Sequence, residues 1–139
     1  MKRSKPQPTR SNPMELALNI VNTTKKLQGK ELSAYYSLFN YKHALFICQF
    51  YRTRNPYSSA IDEALIQTYI AKTMLELNMV RGAIRHAEEA LKIYVKVLGP
   101  ENDVTKATDT LLFNIKFKGM VGEMVGKLTS DEDCLILGK

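Results

Sequence analysis

The sequence predicts an all-α fold, a short solenoid of antiparallel helix pairs with about five helices. Apolar residues recur at steps of three and four in successive segments, and no segment has the sustained alternation or hairpin dipeptides typical of strands. The chain also repeats itself: His43 and His86 are 43 residues apart, and Pro56 and Pro100 are 44 residues apart. A repeat of about 40 residues that contains two helices is typical of a solenoid, in which each unit buries its apolar face against the next.

Length and composition indicate one folded domain with two appendages. The chain has 139 residues, of which 45% are hydrophobic and 24% charged, as in ordinary globular proteins. Residues 1–13 contain three prolines and no large apolar side chain after Met1, so we expect a disordered basic arm. The repeat domain is then expected over residues 14–119, with a C-terminal tail over residues 120–139.

The net charge of +6 comes entirely from the first thirty residues, which hold seven Lys or Arg and one acid. Residues 31–139 hold thirteen basic and thirteen acidic side chains and are therefore neutral. A nucleic-acid-binding domain would show a basic face on its folded body, so we expect no nucleic-acid partner. The simplest interpretation of the basic arm is a solvated terminus.

Cap residues divide the first half of the domain into helices. Asn12 is a helix-start signal before Pro13, and the helix that follows is expected over Met14–Leu27. Gly29 suits a left-handed cap at its end. Residues 31–54 contain neither Gly nor Pro and are apolar almost all round, which predicts burial on more than one side. They form either one helix of about 24 residues or two helices that break near Phe39, and the sequence leaves both open.

Three more helices are expected in the second half. Ser58 or Ser59 caps a helix over residues 58–77 that is apolar on two sides, and residues 79–98 form the most clearly amphipathic helix of the chain. Asn102 or Asp103 then caps the last helix, over residues 102–119, and Gly119 is expected to end it.

Residues 65–98, followed by the turn Leu98–Glu101, resemble a tetratricopeptide repeat of the longer kind found in kinesin light chains. The resemblance implies a right-handed solenoid whose concave face is lined by the first helix of each pair. It departs from the family where Met79 and Val80 occupy a turn that usually carries an aromatic residue. The structural repeat positions that it implies are Ala71, Asn78, Ala83, Ala90, Tyr94, Gly99 and Pro100.

A weaker resemblance connects Tyr51, Pro56, Ala83 and Tyr94 with the C-terminal helical region of the SET-and-MYND lysine methyltransferases. It implies that the chain is a regulatory C-terminal piece of such a protein. The cysteine-rich zinc pattern of the MYND domain is absent, and the chain has no room for a SET domain. No methyltransferase activity, zinc or methyl-donor binding is therefore carried over.

The repeat architecture predicts a protein-interaction module that binds a peptide or a partner surface on its concave face. Lysine and asparagine side chains suit an acidic segment or a C-terminal carboxylate. The alternative is that these polar residues are plain solvated surface. The candidate binding residues, all on the helices expected to line this face, are Gln67, Lys72, Asn114 and Lys118.

No pattern in the sequence points to an enzyme, a cofactor or a metal. His43 and His86 occupy equivalent repeat positions, which favours a structural role, and the pair Gly119 and Gly122 lacks the context of a phosphate loop. Cys48 and Cys134 are far apart, so they predict neither a zinc site nor a disulfide.

We expect a reducing compartment, the cytoplasm, with the nucleus left open. The longest apolar run has five residues, far fewer than a membrane span requires. Near the C-terminus, the apolar quartet Cys134–Leu137 is expected to dock back onto the open end of the solenoid.

Overall fold

The computed structural model describes residues 12–55 and 58–137, with side chains as far as residue 126. Within these ranges the only β-type pairing is an isolated bridge between Gln28 and Leu32, so the all-α prediction is confirmed. Consecutive helices pack on one another in chain order. The five helices are α1 (Pro13–Leu27), α2 (Ala34–Arg54), α3 (Ile61–Glu76), α4 (Val80–Leu98) and α5 (Asp103–Leu137).

The start of α1 confirms the cap predicted from sequence. The Asn12 side-chain oxygen accepts a hydrogen bond from the Met14 backbone N–H at 2.7 Å, and Pro13 occupies the first turn. At the other end, Gly29 has a φ of +81°, but it follows the extended residue Gln28 and lies in a turn. The Lys30 N–H closes this turn by donating to the Leu27 carbonyl at 3.0 Å, so Gly29 is not the left-handed helix cap that the sequence predicted. Because Asn12 and Pro13 belong to the helix, the boundary of the predicted arm moves back to residue 11, and residues 1–11 lie outside the described part.

Residues 34–54 form one continuous helix, which settles the choice left open by the sequence. Ser33 caps it by accepting from the Tyr36 N–H at 3.3 Å, and Asn55 closes it by donating to the Tyr51 carbonyl at 2.8 Å. The expected burial on more than one side is found in that α2 contacts both α1 and α3, but a further apolar face of α2 lies largely in water. This α2 aromatic stripe consists of Tyr35, Tyr36, Phe39, Phe46 and Phe50, whose exposed fractions run from 48% to 70%.

The turn between α3 and α4 is a Schellman motif centred on Asn78. Asn78 has a φ of +62° and donates its N–H to Leu75, while Met79 donates to the carbonyl of Met74 at 2.8 Å. Asparagine tolerates the left-handed conformation better than most residues, so the turn predicted at this position is confirmed. α4 in turn ends at Gly99, whose φ is +89°.

Small side chains let α3 and α4 approach closely. Ala71 of α3 and Ala83 and Ala90 of α4 are fully buried. At Gly82, an added Cβ would lie 2.7 Å from the Met74 sulfur, closer than a real contact allows. The small residues of the repeat pattern therefore lie where neighbouring helices touch.

Replacing Ala90 with Leu should overpack its contact with the small cluster that contains Ala64 and Tyr94. We expect a loss of roughly 1–3 kcal/mol of unfolding free energy, measured by urea denaturation. Ala107→Leu, at an exposed position of α5, is the matched control and should leave the stability nearly unchanged. Equal midpoints for the two variants would contradict the packing described for Ala90.

The last helix does not end at Gly119, as the sequence predicted, but continues to Leu137 for a total length of 35 residues. A glycine inside a helix costs about 1 kcal/mol but does not by itself stop it. Here it serves close packing, since a Cβ on Gly119 would lie 2.9 Å from a methyl group of Val80. The backbone of the predicted tail therefore continues α5 as far as Leu137. The docking expected of Cys134–Leu137 depends on side chains that lie outside the described part of the chain.

Replacement by alanine should change the stability differently at two glycines of α5. Gly122→Ala meets nothing within 4 Å and should stabilise the protein by about 0.8–1 kcal/mol through helix propensity. Gly119→Ala gains the same propensity but must displace the Val80 side chain, so we expect it to be less stable than Gly122→Ala. Urea denaturation midpoints measure the difference, and a Gly119→Ala variant as stable as Gly122→Ala would show that the α4–α5 contact is looser than described.

Candidate functional site

Side chains from the end of α1 and from α5 both contact the last turn of α3. The amide of Gln28, at the end of α1, donates to Thr73 and Glu76 of α3 at 3.3 Å each. From the opposite side, the Lys118 ammonium of α5 donates to the Leu75 carbonyl of α3 at 3.3 Å. We call this surface the odd-helix face and define it by Lys25, Gln28, Tyr69, Lys72 and Lys118.

The centre of the odd-helix face is the ring of Tyr69. The Lys25 ammonium of α1 lies 5.3 Å from the ring centroid, and the Lys72 ammonium of α3 lies 5.9 Å from it. Tyr41 of α2 stacks against the same ring, with centroids 5.6 Å apart and planes at 15°. Each exposed cation–π contact contributes about 0.5–1 kcal/mol. One aromatic ring thus holds two exposed ammonium groups from different helices close together.

Tyr41 packs against the buried side of the odd-helix face. Its hydroxyl donates to the Gln28 side-chain oxygen at 2.9 Å, and its ring is buried. Burial raises the pKa of Tyr41 to about 12, with smaller contributions from Tyr69 and Glu76. The phenol therefore stays protonated and orients the Gln28 amide toward α3.

The predicted binding residues fall in two different environments. Lys72, Asn114 and Lys118 are exposed, and the two lysines belong to the odd-helix face. Gln67, by contrast, is 3% exposed, and its side-chain oxygen accepts a hydrogen bond from the His86 Nδ1–H at 2.5 Å. Gln67 connects α3 to α4 inside the molecule, so its amide is not presented to a ligand.

The equivalence of His43 and His86 in the repeat does not extend to their surroundings. His43 is exposed, whereas His86 is half-buried against α3. Burial, with smaller contributions from the nearby charges of Arg85 and Lys42, lowers the pKa of His86 to about 4. The ring is therefore neutral at physiological pH and donates from Nδ1 to Gln67.

His86 should make the stability depend on pH. Its folded pKa of about 4 lies below its ordinary value of 6.5, so between these values the unfolded chain binds more protons than the folded one. The unfolding free energy should fall as the pH drops from 6.5 to 4, by at most about 1.4 kcal/mol per unit, reduced by partial solvation of the ring. Urea denaturation at several pH values should show that the unfolding free energy of His86→Gln depends less steeply on pH than that of the wild type. An unchanged slope for His86→Gln would contradict this assignment.

A second polar cluster joins α2 to α3. The Glu63 carboxylate, 8% exposed, forms an ion pair with Arg52 and accepts from the Gln49 amide at 3.2 Å. Burial, with the adjacent charges of Glu63 and Asp62, raises the pKa of the neighbouring Cys48 thiol to about 12. Because the carboxylate is paired and the thiol stays protonated, the cluster has a structural role.

Sequence reasoning missed Lys25, Gln28 and Tyr69. Lys25 was counted only as part of the basic N-terminal segment, although Lys25 and Lys26 both lie in the last turn of α1. The convergence of Lys25 and Lys72 on Tyr69 depends on how α1 and α3 pack, which no local pattern reports. The one signal in the sequence is the pair Lys25 and Lys26 shortly before Gly29, which indicates a basic end of α1.

Comparison with protein-family models, with curated proteins and with solved structures finds no match for this chain. The described residues contain no helix that is both long and apolar enough to traverse a bilayer. Among the same residues, no three His, Cys, Asp or Glu side chains are grouped as a metal site would need. The odd-helix face is therefore the feature of the molecule from which a function can be inferred.

Proposed function

We propose that the protein is an interaction module whose odd-helix face binds an acidic segment of a partner protein. The observation that carries the proposal is the pair Lys25 and Lys72, two exposed ammonium groups from different helices that share the ring of Tyr69. Lys118 adds a third exposed ammonium from α5. Carboxylates are the natural ligands of such a group, through charge-assisted hydrogen bonds.

The local charge supports an acidic partner. Three lysines occupy the odd-helix face, and the nearby carboxylate of Glu76 already accepts a hydrogen bond from Gln28. Residues 31–139 are neutral as a whole, so this positive patch is a local feature and not a consequence of overall charge. Single exposed ion pairs contribute only about 0–1 kcal/mol, so binding would need several carboxylates or apolar contact with Tyr69 as well.

The arrangement of helices supports the same surface. The resemblance of residues 65–101 to a tetratricopeptide repeat implies that the first helix of each pair lines the binding face. In that register α1, α3 and α5 are first helices, and they are the ones that supply Lys25, Lys72 and Lys118. Burial lowers the pKa of His86 to about 4 and raises that of Cys48 to about 12, so near neutral pH the imidazole is a weak base and the thiol a poor nucleophile, which favours binding over catalysis.

The α2 aromatic stripe favours a second candidate function, that of a regulatory C-terminal piece of a SET-and-MYND-type methyltransferase-like protein. Contiguous exposed apolar surface of this kind is typical of contact with another protein or domain. In such a protein the stripe would pack on the catalytic domain. The coding sequence upstream of Met1 distinguishes the candidates, because a cysteine-rich MYND pattern and a SET domain encoded there would support the second.

Charge reversal tests the first candidate. The double variant Lys25→Glu/Lys72→Glu should bind a fluorescein-labelled Glu-rich peptide at least about tenfold more weakly than the wild type, equivalent to about 1.4 kcal/mol. Fluorescence anisotropy measures the affinity, which should also fall with rising salt. Adding Lys118→Glu should weaken binding further.

Two controls accompany this test. Lys92→Glu/Lys96→Glu makes the same change in net charge on exposed positions of α4 and should bind like the wild type. Deleting residues 1–11, which leaves the Asn12 cap in place, should change neither binding nor stability. An equal loss in the α4 control, or loss of binding in the deletion, would move the site away from the odd-helix face.

A further inference from the structure

A cavity of about 1070 Å³ lies between the first turns of α4 and the second half of α5. The interior is mainly apolar, whereas the rim carries Arg81, Lys116 and Lys118 against one acid, Glu123. Lys118 belongs both to the odd-helix face and to the rim of the cavity and is the one residue that they share, so Arg81 and Gly122, which line the cavity only, are the positions that test this site without disturbing the proposed one. The apolar lining comprises Val80, Ile84, Met120, Val121 and Val125.

The cavity exists because α5 runs past the start of α4. α5 touches Val80 at Gly119 and then continues, and among the described residues no helix covers its next two turns. Met120 and Met124 in those turns are about 60% exposed. The walls of the groove are therefore two helices that meet at Gly119, with an apolar floor between them.

The shape suits a helix better than a small ligand. Small-molecule sites enclose most of the surface of their ligand, whereas this groove is open along one side. Amphipathic helices bind such grooves by inserting apolar side chains from successive turns.

The charge of the rim favours a bound helix that carries acidic side chains beside its apolar face. Three cations face one anion, although Lys116 also approaches Glu88 at 3.7 Å in an exposed pair. A helix with Lys or Arg beside its apolar face would meet like charges, whereas Asp or Glu in those places would meet Arg81 and Lys118. We infer that this groove binds an amphipathic helix of another protein, whose apolar side chains enter the cavity and whose acidic side chains face the basic rim.

Two glycines of α5 provide a test that preserves the fold. Gly122 lines the cavity and Gly126 does not, and a Cβ at either position meets no atom within 4 Å. Leucine is a better helix former than glycine, so both Gly122→Leu and Gly126→Leu should fold, as thermal denaturation followed by circular dichroism will show. Only Gly122→Leu places a side chain in the groove.

The probe is a fluorescein-labelled helical peptide with leucine at every third or fourth position and glutamate elsewhere, compared with a peptide that carries lysine for glutamate. Fluorescence anisotropy should show binding of the acidic peptide only. We expect Gly122→Leu and Arg81→Glu each to weaken binding at least about tenfold, while Gly126→Leu binds like the wild type. Lys25→Glu/Lys72→Glu alters the odd-helix face only, so we expect it to leave unchanged the part of the binding that Gly122→Leu removes.

Four outcomes would overturn the inference. Equal binding by the two leucine variants would mean that the groove is not used, and equal binding of both peptides would mean that the rim does not select charge. Loss of binding in Lys25→Glu/Lys72→Glu but not in Gly122→Leu would place the peptide on the odd-helix face, in agreement with the proposed function. If sedimentation shows a concentration-dependent dimer that Gly122→Leu abolishes, the occupant of the groove is a second copy of the chain.

Discussion

The rest of the structure depends on the burial of α3 between its neighbours. Ile66, Ile70 and Ala71 are fully buried, so α3 gives apolar contacts to both sides while its exposed side chains are confined to a narrow strip. Tyr69 and Lys72 lie on the edge of that strip. The odd-helix face is therefore attached to a buried helix, and two of its three lysines, Lys25 and Lys72, lie over a ring that stacks on the buried Tyr41.

Three polar contacts along α3 determine how its neighbours are aligned. Glu63 pairs with Arg52 of α2, Gln67 accepts from His86 of α4, and Thr73 accepts from the Gln28 amide at the end of α1. Apolar contacts alone tolerate small shifts of one helix along another, whereas a buried polar group left without its partner costs about 1–3 kcal/mol. These contacts specify a single register for a helix whose apolar surface would accept several.

The sequence predicted helix number and most helix ends because those features depend on local chemistry. Asn12 and Asn102 act through their own caps, and the structure confirms both. Gly29 has a positive φ but lies in a turn after the helix and does not cap it. The end at Gly119 was wrong because packing against Val80, a residue distant in sequence, decides what that glycine does. Gln67 was misplaced for a similar reason, since a polar residue looks like surface unless its partner across the helix interface is known.

The α2 aromatic stripe also has a bearing on colloidal behaviour. A protein whose surface exposes phenylalanines while its net charge is near zero tends to associate and precipitate. Residues 31–139 are neutral, and the basic groups of residues 1–30 supply the entire excess charge that opposes such association. The N-terminal lysines and arginines thus contribute to solubility even where they contribute nothing to the fold, and their contribution should be greatest at low ionic strength, where electrostatic repulsion reaches furthest.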